Sequence, residues 1–385
     1  MNKSMTMMLL GAVAATGAAH AASVQRTADG WYILFGNYSN FGIYTSYLFK
    51  VDDHGNLIWK IPFNAGAGNL GNGSIAEGDH NLLGHASQTT DGKFILSYNA
   101  DQGHLAKING SGTSIEWDKT YGYISGDNYL LNVQPTSDGG YIAAGYTSFM
   151  GAGGNDGWLL KVDGNGQQQW SNPYGSSLPN FLYAVRPTAD GGYVAVGATE
   201  SEQRVELKGW LLKVDNKGQR SWGYTIGIDN SNDVLSDVQQ TADGGYIMAG
   251  TTNDQGWLLK FSSANKNIEW QRVFTNTPIA ASVQQTSDGG YITCGYTSTT
   301  AGSGGTAFLV IKLDGAGNVQ WQNRYGENGT GHHYASSVLQ TPDGSYVAYG
   351  NSISLSKGKG TRLVKINADG SEEWEMFYPE QLMEQ

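Results

Sequence analysis

The sequence predicts an all-β fold, a seven-bladed β-propeller of four-stranded antiparallel blades, and three observations carry that prediction. A turn of the form T-x-D-G recurs with its Asp at Asp29, Asp91, Asp138, Asp190, Asp243, Asp288 and Asp343, seven copies 45 to 62 residues apart. A tryptophan recurs in the same phase, at Trp59, Trp117, Trp170, Trp222, Trp270, Trp321 and Trp374. Between these marks, short runs rich in Tyr, Ile, Val and Trp alternate with Asp-Gly or Asn-Gly pairs, which are strand and hairpin signals. One four-stranded blade has two apolar faces it cannot cover alone, and seven stacked round an axis cover them for one another.

In chain order, residues 1–21 come first. Lys3, an apolar stretch from about Met5 to Ala18 and the ending Ala19-His20-Ala21 follow the charged, apolar and small-residue order of a secretory signal cleaved after Ala21. The propeller is expected over 22–378, with blades at about 22–63, 79–122, 127–175, 180–227, 231–275, 279–326 and 333–378, and a tail at 379–385. The third blade shows the pattern best. Its first strand is YLLNVQPT (Tyr129 to Thr136), followed by a turn at Ser137-Asp138-Gly139 and a second strand, GYIAAGYT. The Gly-rich loop SFMGAGGN leads to the third strand, GWLLKVD (Gly157 to Asp163), and the turn Gly164-Asn165-Gly166 leads to the fourth, QQQWSNPYG.

The late Trp of each copy suits the wedge between blades, where burying a large ring contributes about 1.5 to 3 kcal/mol. Four residues later stands an aromatic, Phe63, Tyr121, Tyr174, Phe274, Tyr325 or Tyr378, with Ile226 in the fourth copy. The first copy opens with its own first strand, SVQRT, and the seventh ends with its own fourth strand around Trp374. Closure of the ring is therefore expected from side-chain packing, without a strand lent across the seam.

Composition fits this reading and excludes others. Gly numbers 55 in 385 residues, about twice the usual share of roughly 7%. A formal charge of -11 argues against phosphate backbones or anionic lipid as partners. Beyond the leader no stretch reaches the roughly 18 apolar residues a membrane span needs. The one cysteine, Cys294, can form no intramolecular disulfide, and its strand-like setting reads as a buried small apolar residue. The expectation is an exported, periplasmic or extracellular monomer that takes a protein or glycan partner and no cofactor, nucleic acid or membrane.

The repeats resemble the bacterial secreted seven-bladed β-propeller family, whose units carry a DGG-type turn, a Gly-rich loop, a strand ending in K-x-D or K-x-N and an N-G turn. That resemblance spans the chain after the leader and implies a fold and a surface location, with no single activity. A weaker one is to the tryptophan-docking repeat of quinoprotein propellers, through D-x-x-G-x-x-x-W at Asp52 to Trp59, Asp163 to Trp170 and Asp215 to Trp222. The spacing is one residue short and no quinone-binding residues accompany it, so quinone binding is not carried over.

Repetition marks construction, so a site is sought where repetition breaks. Seven evenly spaced turn Asp residues would share no substrate, and Asp-Gly suits the left-handed backbone of tight turns. The K-x-D pair Lys161 and Asp163 is read the same way, and Gly151-Ala152-Gly153-Gly154 lacks the helix N-terminus a phosphate cradle needs. The second copy departs most, in TTDGKFILSYNADQGHLAKIN, where Lys93 replaces the second Gly and Ser97 is read as replacing a strand Gly. It also holds His80, His85 and His104. Two residues after the His85 position runs a polar column, Gln25, Ser87, Gln134, Arg186, Gln239, Gln284 and Leu339, expected to border the central channel.

Two functional readings follow. A binding or scaffold module would present its loops and channel, with Arg186, Gln134, Gln239 and Gln284 as ligand contacts. The alternative is a carbohydrate-active enzyme resembling a polysaccharide lyase, with His85, His104, Tyr98 or Tyr146, and Arg186 as acid, base and charge-neutralising groups at the channel mouth. His332-His333, placed in a loop in GENGTGHHYASS, is a weak candidate for a metal and lacks a third ligand. Glu202, Arg204 and Glu206 read as a solvated charge cluster.

Overall fold

In the computed structural model, every repeat folds into one antiparallel sheet of four consecutive strands, and among the described residues no sheet borrows a strand from another. The structure describes residues 23–40, 43–63, 84–99, 102–122, 126–201, 206–228, 230–277, 279–298, 305–326, 331–354 and 356–380. The leader, its cleavage point, His80, Glu202, Arg204 and the end of the tail lie outside them. Blade three runs through strands Asn128–Pro135, Tyr141–Thr147, Asp156–Val162 and Gln168–Tyr174. First strands of successive blades touch one another, and the first strand of blade one touches that of blade seven, so the first strands ring the axis.

Alternation along a strand sends successive side chains to opposite faces. In blade three, Val133, Tyr141 and Trp158 pack against blade two, while Ile142, Ala144 and Leu159 pack against blade four. The expected turns form, with a partner the motif alone did not reveal. In each T-x-D-G turn the Thr hydroxyl donates to the Asp carboxylate, as Thr188 does to Asp190 at 2.6 Å, and the Gly takes a positive φ, 78° at Gly139. The Lys of the third strand reaches back to the same Asp: Lys161 to Asp138 and Lys213 to Asp190 at 2.9 Å, Lys260 to Asp243 and Lys312 to Asp288 at 2.8 Å. Lys50, Lys107 and Lys365 do the same for Asp29, Asp91 and Asp343.

Partial burial raises the carboxyl of Asp138, but the Thr136 hydroxyl and the Lys161 ammonium outweigh it and hold it at about 2. At Asp343 the Thr341 hydroxyl is the largest influence, and that carboxyl too lies at about 2. The Asp of K-x-D closes the next turn in the same economical way. Asp163 accepts the amides of Asn165 and Gln167 at 2.9 and 2.8 Å.

The rim is held by the late aromatics. Tyr121, Tyr174 and Tyr325 donate to the carbonyls of Gly166, Gly218 and Gly370 in the following blade at 2.7, 2.6 and 2.6 Å. Trp117, Trp170 and Trp321 lie against those same glycines, whose φ values are 73°, 76° and 88°. Closure repeats the contact. Tyr378 donates to the Gly55 carbonyl at 2.6 Å, and Trp374 lies on Gly55. In blade five Lys266 takes the glycine's place at φ 55°, and its ammonium lies 4.5 Å above the Trp222 ring.

Two sequence expectations are corrected. His332 and His333 are not in a loop; they open the first strand of blade seven, His332–Gln340. The strand glycine of the repeat is replaced in blade two by Tyr98 rather than Ser97, because Tyr98 pairs with His104 as Gly145 pairs with Trp158. A bulge in the first strand explains the glycine. A Cβ at Gly145, Gly197 or Gly350 would stand 1.7 to 1.9 Å from the carbonyl oxygen of Tyr129, Phe181 or Tyr334. Described pairing in blade two shows no such register shift, which leaves room for a ring.

Candidate binding site at the axis of blades two to five

First strands carry no rim aromatics, so their junctions depend on polar side chains that reach the neighbouring backbone. Gln25 accepts the amide of Gln88 in the next blade at 2.9 Å, Gln239 that of Gln285 at 2.6 Å, and Gln284 that of Gln340 at 2.6 Å. A second row runs the other way. Gln88, Gln240, Gln285 and Gln340 accept the turn amides of Ala28, Ala189, Ala242 and Ser287 in the preceding blade, at 2.8 to 2.9 Å. The glutamines predicted as ligand contacts are thus of two kinds, and Gln239 and Gln284 are engaged in joining blades.

Blades three and four break both rows. Their first strands end in Gln134-Pro135 and Arg186-Pro187, and proline has neither an amide hydrogen to give nor a side-chain oxygen to accept one. By the geometry of its counterparts Gln134 faces Pro187, and its carboxamide nitrogen is buried without a hydrogen-bond partner. Other contacts bridge this sector. Ser87 donates to the Val133 carbonyl at 3.0 Å, and Asn132 accepts the Val185 amide at 3.3 Å. Arg186 holds Asp237 of blade five at 2.9 Å and approaches Asn132 of blade three at 3.5 Å. Asp237 also accepts the amide of Val283 at 3.1 Å.

His85 joins this sector from blade two. It lies 3.4 Å from the Ser87 hydroxyl, and burial together with the Arg186 charge lowers its imidazole to about 3, so it is neutral near pH 7. Polar groups of four blades, His85, Gln134, Arg186 and Asp237, thus gather at the axis, and Arg186 keeps 27% of its side chain exposed.

The enzyme constellation does not assemble. His85 pairs with Ser97 and His104 with Tyr98, and because consecutive residues point to opposite faces, the two histidines face away from each other across blade two. Tyr98 packs toward blade one. Its hydroxyl donates to Asp118 at 2.5 Å and lies 3.0 Å from His104 Nδ1, and His104 lies 3.3 Å from Asp118. His104 occupies the position that Trp158 and Trp257 hold in other blades. Tyr146 is elsewhere again, in a cluster at the loop end of blades three and four. It stacks on Tyr129 at 4.8 Å and meets Phe181 edge-on at 5.1 Å, and burial raises its hydroxyl well above the usual value.

His332 and His333, adjacent in a strand, point apart and cannot share an ion. His333 is buried against the Ser352 hydroxyl at 2.5 Å, while His332 stacks with Tyr334. Among the described residues one group of three ligand types lies close, Asp52, Asp53 and His54, on a turn where Asp52 accepts the amides of His54 and Asn56. Pro135, Pro187 and Asp237 were not among the expected contacts. Their signal was present: each interrupts a column that is Gln or a small polar residue in most other copies.

Residues 46–310 match the family described as "Outer membrane protein assembly factor BamB". No curated protein matches the chain significantly. Among solved structures, a protein of unknown function from Bacteroides caccae is similar at 13% identity and a TM-score of 0.50, covering 77% of this chain and 94% of that one. Chaetomium thermophilum Sqt1 is similar at 13% identity and a TM-score of 0.50, covering 94% of this chain and 87% of that one. At such identities the likeness is one of fold.

Proposed function

The chain belongs to the family described as outer membrane protein assembly factor BamB, and from that premise we propose that it is an exported binding module holding a protein partner on the loop end of blades three and four. One observation carries the reading. Phe149, 52% exposed, stands in the loop after the second strand of blade three, three residues beyond Tyr146, which packs in a run of rings with Tyr129, Phe181 and Tyr183. An exposed aromatic on a loop is the kind of anchor protein interfaces use.

Export rests on the order of charged, apolar and small residues at 1–21, and among the described residues no helix is long and apolar enough to cross a membrane. The family's description, an assembly factor, accords with a scaffold. A photocrosslinking residue at Phe149, in whole cells, is expected to capture a defined protein, whereas one at Ile268 on the outer strand of blade five is not. Equal capture at both positions, or none at Phe149, overturns the reading.

The carbohydrate-active alternative keeps one observation in its favour, the hydrogen-bonded Tyr98, His104 and Asp118. Release of unsaturated uronate from acidic polysaccharides, lost in His104→Gln, would establish it in place of the binding module.

A further inference from the structure

We propose that the axis of blades three to five is a binding site for a small carboxylate, received by Arg186 and the carboxamide of Gln134. Arg186 carries five N–H donors, yet among the described residues its guanidinium meets only Asp237 at 2.9 Å and Asn132 at 3.5 Å. Gln134 faces a proline, so its carboxamide oxygen lacks the backbone amide that Gln239 and Gln284 accept, and its buried nitrogen has no acceptor of its own. Such an orphaned donor calls for an explanation, and a bound acceptor is one.

Arg186 has donor capacity left over for an anion. Arg186 and Asp237 offset one another in charge, and His85 is neutral because burial and Arg186 disfavour its proton. Asp237 is already committed to the backbone amides of Val238 and Val283 at 2.9 and 3.1 Å, so it answers Arg186 with one oxygen shared. A planar carboxylate matches the free edge of a guanidinium and offers Gln134 the acceptor it lacks. This site is separate from the Phe149 face, and either can fail without the other.

The test is titration of the folded full chain with sodium acetate, N-acetylglycine and D-glucuronate against sodium chloride at matched ionic strength. The readouts are the melting temperature and the Arg side-chain resonances of 15N-labelled protein. Saturable stabilisation by carboxylate in the millimolar range, with a shifted Arg186 signal, is expected. Arg186→Gln should abolish it, Gln134→Leu should weaken it about tenfold, and Gln284→Leu in a stitched blade should leave it unchanged. A stronger response to N-acetylglycine points to a peptide source and one to glucuronate to a sugar acid. Chloride acting as well as acetate, or Gln134→Leu and Gln284→Leu behaving alike, overturns the proposal. Should Arg186→Gln fail to fold, the Gln134 and Gln284 pair still decides it.

Discussion

The junction between blades six and seven and the junction between blades three and four are alike at the rim and unlike at the axis. At the rim Tyr325 and Tyr174 make the same bond to Gly370 and Gly218, and Trp321 and Trp170 donate to the carbonyls of Ala368 and Asn216 at 3.2 and 3.1 Å. At the axis Gln284 and Gln340 join six to seven twice, whereas Gln134 and Pro187 make neither bond. The ring is therefore secured redundantly from outside, and its inner wall is free to differ from sector to sector. A site can be placed there without dismantling a blade.

The strongest test of this comparison strikes what the two junctions share. Gly218→Val and Gly370→Val would each force a β-branched residue into a positive φ and against Trp170 or Trp321. Each should cost about 2 to 4 kcal/mol, and the two should agree within about 1 kcal/mol in denaturant unfolding. A large disparity would mean the rims are not equivalent.

Next comes the contrast itself. Gln284→Leu leaves the Gln340 amide without its acceptor and should destabilise by about 1 to 3 kcal/mol. Gln134→Leu removes an unpartnered donor and should be neutral or slightly stabilising when both variants are compared by calorimetry. Equal losses would erase the distinction between stitched and open sectors.

A smaller change should convert one sector into the other. Pro187→Gln restores an amide for Gln134 and an acceptor for the turn of blade three. It is expected to add about 0.5 to 1.5 kcal/mol for the new hydrogen bonds, less what the proline contributed by restricting the unfolded chain. In its background Gln134→Leu should become costly, a coupling that a double-mutant cycle measures.

The smallest effect is expected at the turn pairs. Lys161→Met in blade three and Lys312→Met in blade six should each cost under about 1 kcal/mol, because Asp138 and Asp288 are half exposed and screened. Their carboxyls are lowered in the folded state to about 2, so the stabilisation is present above the ordinary carboxylate range and disappears as pH falls through about 2. The difference between wild type and either variant should vanish over that window in acid titrations followed by tryptophan fluorescence.

Blade number, strand order and rim were legible in the sequence because each is written seven times, and a period averages out local exceptions. The Lys–Asp pairing was written seven times as well, in Lys161 with Asp138 and its counterparts, but strand register is needed to see that residues 23 apart meet. The site was less legible for a physical reason. Residues His85 and His104 are near in sequence and share a blade, yet sheet alternation sends them to opposite wedges, toward blade three and toward blade one. Conversely His85, Gln134 and Arg186 are about one blade apart in sequence and converge only because their strands are innermost. Pro135 and Pro187 carried the clearest mark of the open sector. Their meaning depends on a backbone amide missing at a junction that no single strand reveals.

Closure by Tyr378 on Gly55 has a mechanical consequence. Within a blade, strands are cross-linked by ladders of amide bonds, which share a shearing load; between the last blade and the first, the rim contact is side chain against turn. A pull applied between Ser23 and Pro379 would meet no ladder at the seam, so the ring would part there first, at low force, and only afterwards surrender its blades one at a time. Single-molecule extension should therefore begin with a small, reversible opening, the signature of a clasp rather than a weld.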